Sequence, residues 1–172
     1  MEEILPIVDE KGNVTGKASR EKCHSGSFIL HPVVHIHLIN EERLYLQKRS
    51  YDKDIQPGKW DTSVGGHIMY GDDPLTSAQR EAEEELGIKT GLNLIPVCRY
   101  VWHSEVEKEY YHVFKSYHSG EIKIDNYEVI DGKYWEREEI NKSIGKGIFT
   151  PNFEYEYTLL QDKLFDKSFK IV

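Results

Sequence analysis

The chain has 172 residues, 38% of them hydrophobic and 12% aromatic, which suits one domain with a substantial core and argues against disorder. Its formal charge of −8 argues against extended binding to a nucleic-acid backbone, which depends on many lysine and arginine contacts. No apolar stretch approaches a membrane span or a secretory leader, and Cys23 and Cys98 lack metal-type spacing, so a cytoplasmic protein with reduced thiols is expected.

In chain order, ILPIVDEKGNVTGKA reads as a hairpin around Glu10 to Asn13, ILHPVVHIHLI as a strand, and RLYLQKR as a further strand after a turn at Asn40 to Glu42. His35 and His37 alternate with apolar residues, the pattern of ordinary strand positions. A helix is predicted from Pro74 to Leu86, because Asp73 can cap it, Pro74 suits its first position and Gly87 its stop. Leu75, Ala78, Ala82 and Leu86 would face a sheet, which puts Glu81, Glu84 and Glu85 on or beside the open face. LIPVCRYVW, EYYHVFKSY, EIKI and GKYW follow as strand candidates, with a short helix near Glu136 to Asn141. Thr150 as cap and Pro151 in the first turn open the last helix, on which Phe153, Tyr157, Leu160 and Leu164 recur at helical spacing. This order predicts an α+β layered domain over residues 1–172.

Three glutamates on one helical turn behind a glycine pair suggest a site for divalent metal and phosphate. Hard cations take carboxylate and phosphate oxygens, and Asp72 lies nearby in sequence. Glu81 and Glu85 repel at i,i+4, and Lys89 lies beyond the Gly87 stop, so the run costs helix stability unless a cation is bound. The bland alternative is a solvated acidic face. Arg49 can fork onto phosphate oxygens and Lys53 can add a point charge, while Gly65 and Gly66 would let the backbone approach a substrate.

Gly66, Asp72 and the run Arg80-Glu81-Ala82-Glu83-Glu84-Glu85-Leu86-Gly87-Ile88 resemble the box of the Nudix hydrolases, in which a glutamate usually stands where this chain has Asp72. From about His24 to Asn152 the chain further resembles the branch that includes type I isopentenyl diphosphate isomerase. That enzyme holds a metal with two N-terminal histidines, a histidine just after its catalytic cysteine, and a Glu-x-Glu pair. The resemblance maps these onto His24, His31, His67, Glu107 and Glu109, and the diphosphate-binding arginine and lysine onto Arg49 and Lys53. The isomerase's Val-Cys-Gly-His reads Val64-Gly65-Gly66-His67 here, so the thiol is missing.

The resemblance implies a Nudix α/β/α sandwich with a mixed β-sheet, an isomerase-like extension over about 1–30 and the box at 66–88. It also implies a metal-dependent hydrolase that cleaves a diphosphate linkage in a small substrate, a nucleoside diphosphate derivative or another organic diphosphate. The alternative is isopentenyl diphosphate isomerase or an isomerase-like diphosphate-binding protein. Glu81, Glu84 and Glu85 would hold Mg2+ or Mn2+ and supply the base, with a second, transition-metal ion on the histidine and glutamate set. A surface loop for His24 and a charged hairpin for Glu107 and Glu109 remain open as alternatives. The expected partner is the small diphosphate, with no nucleic acid and no membrane, and a homodimer is left open. Tyr70, Trp102, Phe149 and Phe153 suit either pocket or core.

Overall fold

A computed structural model describes residues 2–89 and 91–169, so the domain limits expected at 1 and 172 lie outside it. Ile4–Val8 (β1) and Val14–Ser19 (β2) form the N-terminal antiparallel hairpin. The Asp9 carboxylate closes its turn by accepting the amides of Lys11 and Asn13, each at 2.9 Å. A single helical turn that the sequence reading did not anticipate, Arg20–Cys23 (α1), follows with Ser19 as its cap and ends at His24.

His31–Asn40 (β3) is the central strand. Its C-terminal end pairs antiparallel with Arg43–Arg49 (β4), which also pairs with the short Trp60–Asp61 (β5). Its N-terminal half pairs antiparallel with Val64–His67 (β6), joining His35 to Gly65 and Val34 to Gly66. After the helix Pro74–Leu86 (α2), Ile95–His103 (β7) and Lys108–Tyr117 (β8) form an antiparallel pair. β8 lies parallel to β3 along its other edge, so the sheet is mixed. Val129–Glu136 (β9) pairs with β4 and leads into Arg137–Ser143 (α3), and Pro151–Phe165 (α4) completes the described elements.

The two faces of β3 follow the strand period of two. Val34, Ile36 and Leu38 pack with Ala78, Ala82 and Leu86 of α2, whereas Val33 and Ile39 pack with Phe153, Tyr157 and Leu160 of α4. Each aliphatic side chain buried this fully contributes about 1.5–3 kcal/mol, so both helices are held by their apolar sides. The layers are those of an α/β/α sandwich. The α2 boundaries follow the sequence: Asp73 accepts the amides of Leu75 and Thr76, and Gly87 takes the left-handed conformation at φ 66°.

Two local expectations fail. EIKI is not a strand, because its backbone is used elsewhere: the amide of Lys123 donates to Leu86 O at 2.9 Å, and that of Asp125 to Glu85 O at 3.2 Å. The segment caps the end of α2 instead of joining the sheet. Leu75 is 51% exposed, since the buried side of α2 is centred between Ala78 and Glu85 and Leu75 lies at its margin on the terminal turn.

Candidate active site and metal centre

The glutamates of α2 do not all face outward as expected. Glu84 is exposed, Glu81 is largely covered, and Glu85 is buried on the sheet side. The glycines of β6 make this possible. A β-carbon on Gly66 would stand 2.1 Å from the carboxyl carbon of Glu81, so the missing side chain is the space that the carboxylate fills. The amide of Gly65 donates to Glu85 Oε2 at 3.2 Å, and Gln47 Nε2, from β4, donates to the same oxygen at 3.0 Å. Both donors use Oε2, which leaves Glu85 Oε1 without a partner among the described residues.

Arg80 pairs with Glu81 and Glu84 but not with Glu85, so the repulsion between Glu81 and Glu85 persists. The Nη1 of Arg80 lies 2.8 Å from Glu81 Oε1 and 3.1 Å from Glu84 Oε2, and Nη2 donates to the His67 carbonyl at 3.0 Å. Arg80 thereby fixes two glutamates against β6. Burial is the main force on their protonation. It pushes Glu81 up to about 7 despite Arg80, and Glu85 up to about 8 with help from the charge of Glu81.

These shifts give a signed expectation. A divalent cation needs both groups ionised, so Mg2+ affinity rises with pH until Glu85 has lost its proton near 8, by up to about a hundredfold per pH unit below 7 and up to about tenfold between 7 and 8. The stability linkage runs the other way. Carboxyls raised in the folded state favour folding at acid pH, and that contribution is lost as pH climbs through about 7 and 8. Metal-free protein should therefore melt lower at about pH 9 than at about pH 6, and Mg2+ should recover the difference; calorimetric titration and melting across that range check both signs. A methyl group at Gly66 should act on the same carboxylate. Gly66→Ala is expected to displace Glu81 and cost at least about tenfold in turnover, with a stability change of about 1–3 kcal/mol measured by denaturation.

A second cluster gathers residues far apart in sequence. His24 Nε2 lies 3.0 Å from His67 Nε2, and one ring nitrogen from each of His24, His31 and His67 falls within 4.8 Å of the others. His31, Glu107 and Glu109 form an overlapping group on the same scale. His31 Nδ1–H donates to the Ile29 carbonyl at 2.8 Å, which fixes the tautomer and leaves Nε2 buried without a hydrogen bond. Glu107 Oε2 lies 2.9 Å from His24 Nδ1 yet is buried without a hydrogen bond, because the approach is short but poorly aligned.

Burial lowers the His31 ring, and burial with the neighbouring His31 and His24 rings drives His67 well below the ordinary histidine range. Burial, with the charge of Glu107, raises Glu109 to about 7, and Tyr111 donates its hydroxyl to Glu109 Oε2 at 2.7 Å. Neutral imidazoles and carboxylates converging with lone pairs unspent fit a divalent transition metal.

The basic residues are less available than their types suggest. Arg49 donates from Nε and Nη2 to the Ile55 carbonyl, and its Nη1 contacts Asp61 at 3.3 Å. Lys53 pairs with Glu128 at the rim of a cavity of about 210 Å³ lined by Ser50, Asp52, Lys53, Tyr127 and Glu128. The charge of Glu128 raises both Glu81 and Glu85, so one wall of this cavity lies within electrostatic reach of the α2 carboxylates. Asp72 sits in an exposed turn. Of the aromatic candidates, Phe149 and Phe153 are core, Tyr70 is exposed, and Trp102 rests on Tyr155.

Arg80, Gln47 and Glu156 carry roles that their local sequence does not show. Arg80 stood inside the quoted box motif. Glu156 fell among Phe153, Tyr157 and Leu160 on the apolar side of the last helix, and a carboxylate in a core position signals a buried partner. The partners are His35, His37 and Tyr100.

The mixed sheet between helices and the glutamate-bearing helix set against a glycine strand belong, by the family match, to a class of enzymes that act on phosphoric anhydride bonds. The NUDIX domain profile matches residues 29–153, and the chain belongs to the Nudix hydrolase family. It is 31% identical over 151 residues to the Nudix hydrolase lmo0368 of Listeria monocytogenes, which spans 86% of this chain and 88% of that protein. It is also 31% identical over 118 residues to an isopentenyl-diphosphate Delta-isomerase of Serratia proteamaculans, covering 66% of this chain and 65% of the isomerase. Nudix hydrolase 3 of Arabidopsis thaliana is 46% identical over 92 residues, but this chain spans only 12% of its length. The solved structure of DR0079 from Deinococcus radiodurans superposes with a TM-score of 0.77 at 21% identity, over 91% of this chain and 98% of the other.

Proposed function

We propose that this chain hydrolyses a diphosphate linkage in a small organic molecule, with Glu81, Glu84 and Glu85 as ligands for Mg2+ or Mn2+. The observation that carries this reading is Glu85, whose Oε2 is held by Gln47 and Gly65 while Oε1 is left unpartnered beside Glu81. A carboxyl that burial raises to about 8 stays largely protonated without metal, and a cation at its free oxygen would favour the ionised form. When bound, the cation would neutralise phosphate oxygens and make water a better nucleophile.

The chain's own groups supply the rest. Arg80 holds Glu81 and Glu84 in place, and Lys53 and Arg49 would meet the phosphates after exchanging their present partners. Water attacks one phosphorus, the bridging P–O bond breaks, and the proton passes to a carboxylate of α2. The cluster of His24, His31, His67, Glu107 and Glu109 would hold a second ion beside the same strand.

The same cluster favours a second reading, isomerisation of an isopentenyl diphosphate. Gly65 weighs against it, because glycine cannot protonate an alkene. Wild-type protein is therefore expected not to interconvert isopentenyl and dimethylallyl diphosphates, and Gly65→Cys is expected to stay inactive without the rest of the isomerase pocket. Screening nucleoside diphosphate derivatives and isoprenoid diphosphates with Mg2+ or Mn2+ tests both readings. Hydrolysis supports the proposal, and robust isomerisation overturns it.

A further inference from the structure

His35 and Glu156 form a dyad that the expected chemistry does not use. Glu156, on α4, is fully buried and lies 3.1 Å through both oxygens from His35 Nδ1. It also meets His37 Nε2 at 2.6 Å and accepts the Tyr100 hydroxyl at 2.6 Å. Three donors from β3 and β7 thus converge on one carboxylate. Burial opposes charge on the His35 ring, yet the charge and hydrogen bond of Glu156 carry it up to about 9; the reciprocal interaction holds Glu156 well below the usual carboxylate range.

The other edge of the His35 ring points elsewhere. Nε2 has no hydrogen-bond partner among the described residues, and the ring lies against Gly65, its cross-strand neighbour. A β-carbon on Gly65 would stand 3.2 Å from His35 Cδ2 and 3.4 Å from Nε2. The Gly65 amide is the group that anchors Glu85, and the His35 ring stacks on Tyr111, which anchors Glu109. His35, on the α4 side of β3, therefore touches the two residues that anchor Glu85 and Glu109, and one of them is the glycine that stands at the position of the isomerase thiol.

We infer that His35 is a substrate-contacting residue whose Nε2–H, aimed past Gly65 and oriented by Glu156, donates to an oxygen of the bound diphosphate. The absence of a side chain at Gly65 is what leaves the ring room to do so. Glu156 is the positioning residue, because it holds Nδ1–H and with it the ring plane. This inference rests on the diphosphate-hydrolase reading.

The test uses the full chain labelled with 15N at histidine, with Mg2+ and methylenediphosphonate as a probe that cannot be hydrolysed. Titrating the probe should shift the His35 Nε2 resonance, assigned from His35→Gln, in step with binding. His35→Gln should weaken the probe at least about tenfold while leaving Mg2+ affinity within about twofold. Glu156→Gln, which keeps an acceptor for Nδ1–H, should move the His35 resonances toward neutral imidazole and weaken the probe. Probe binding to wild type with the His35 resonance unmoved overturns this inference alone, even if His35→Gln does not fold. Failure of wild type to bind the probe with Mg2+ overturns the hydrolase reading and this inference together.

Discussion

Glu85→Gln is expected to lower turnover by at least about two orders of magnitude without loosening the fold. Glutamine matches glutamate in shape, and an amide oxygen can still accept from Gln47 and Gly65, so the hydrogen bonds that seat the side chain in β6 survive. What disappears is the anion. The wild-type carboxyl is raised to about 8 by burial, so the neutral amide should leave metal-free protein as stable as before, and more stable at alkaline pH. Lost activity with a retained or raised melting temperature is the signature of a ligand, whereas lost activity with a lowered one would indicate a structural residue. Glu84→Gln should lose activity on the same scale, and because Glu84 is exposed its stability should hardly change. Near-normal turnover in both variants would remove the α2 carboxylates from the chemistry.

The second large effect is expected at the histidine cluster. Crystals soaked in Mn2+ or Zn2+ should show an anomalous peak among His24, His31, His67, Glu107 and Glu109. His31→Ala should weaken binding of that ion by about 10–100-fold or more, because it deletes the buried, tautomer-fixed Nε2. Titration should then fall from two ions per chain to one, with Mg2+ binding at α2 retained. A single ion per chain in wild type, with no anomalous density between His31 and His67, would reduce the cluster to a buried polar network.

The elements were legible where local chemistry is strong. Asp73, Pro74 and Gly87 bracket α2 as cap, first turn and stop, and Thr150 and Pro151 start α4, because these signals act within a few residues. EIKI misled because its alternation is real: Ile122 and Ile124 do pack against the core, but the backbone bonds to the end of α2, which no pattern within the segment reveals. The cluster around His67 was reached by resemblance, since periodicity cannot bring a loop histidine beside residues on three strands. Local spacing also hid the inward turn of Glu85, which depends on Gly65 and Gln47 in other elements. His35 and His37 read as plain strand positions because their partner, Glu156, lies on the last helix.

The most direct measurement is phosphorus NMR of purified protein with an organic diphosphate and Mg2+ in water enriched in 18O. Cleavage of the anhydride is expected, with 18O in one phosphate product, dependence on the added metal, and loss of the reaction in Glu85→Gln. Intact diphosphate across the nucleoside and isoprenoid panels, or conversion of one isoprenoid isomer to the other with no 18O in phosphate, would contradict it.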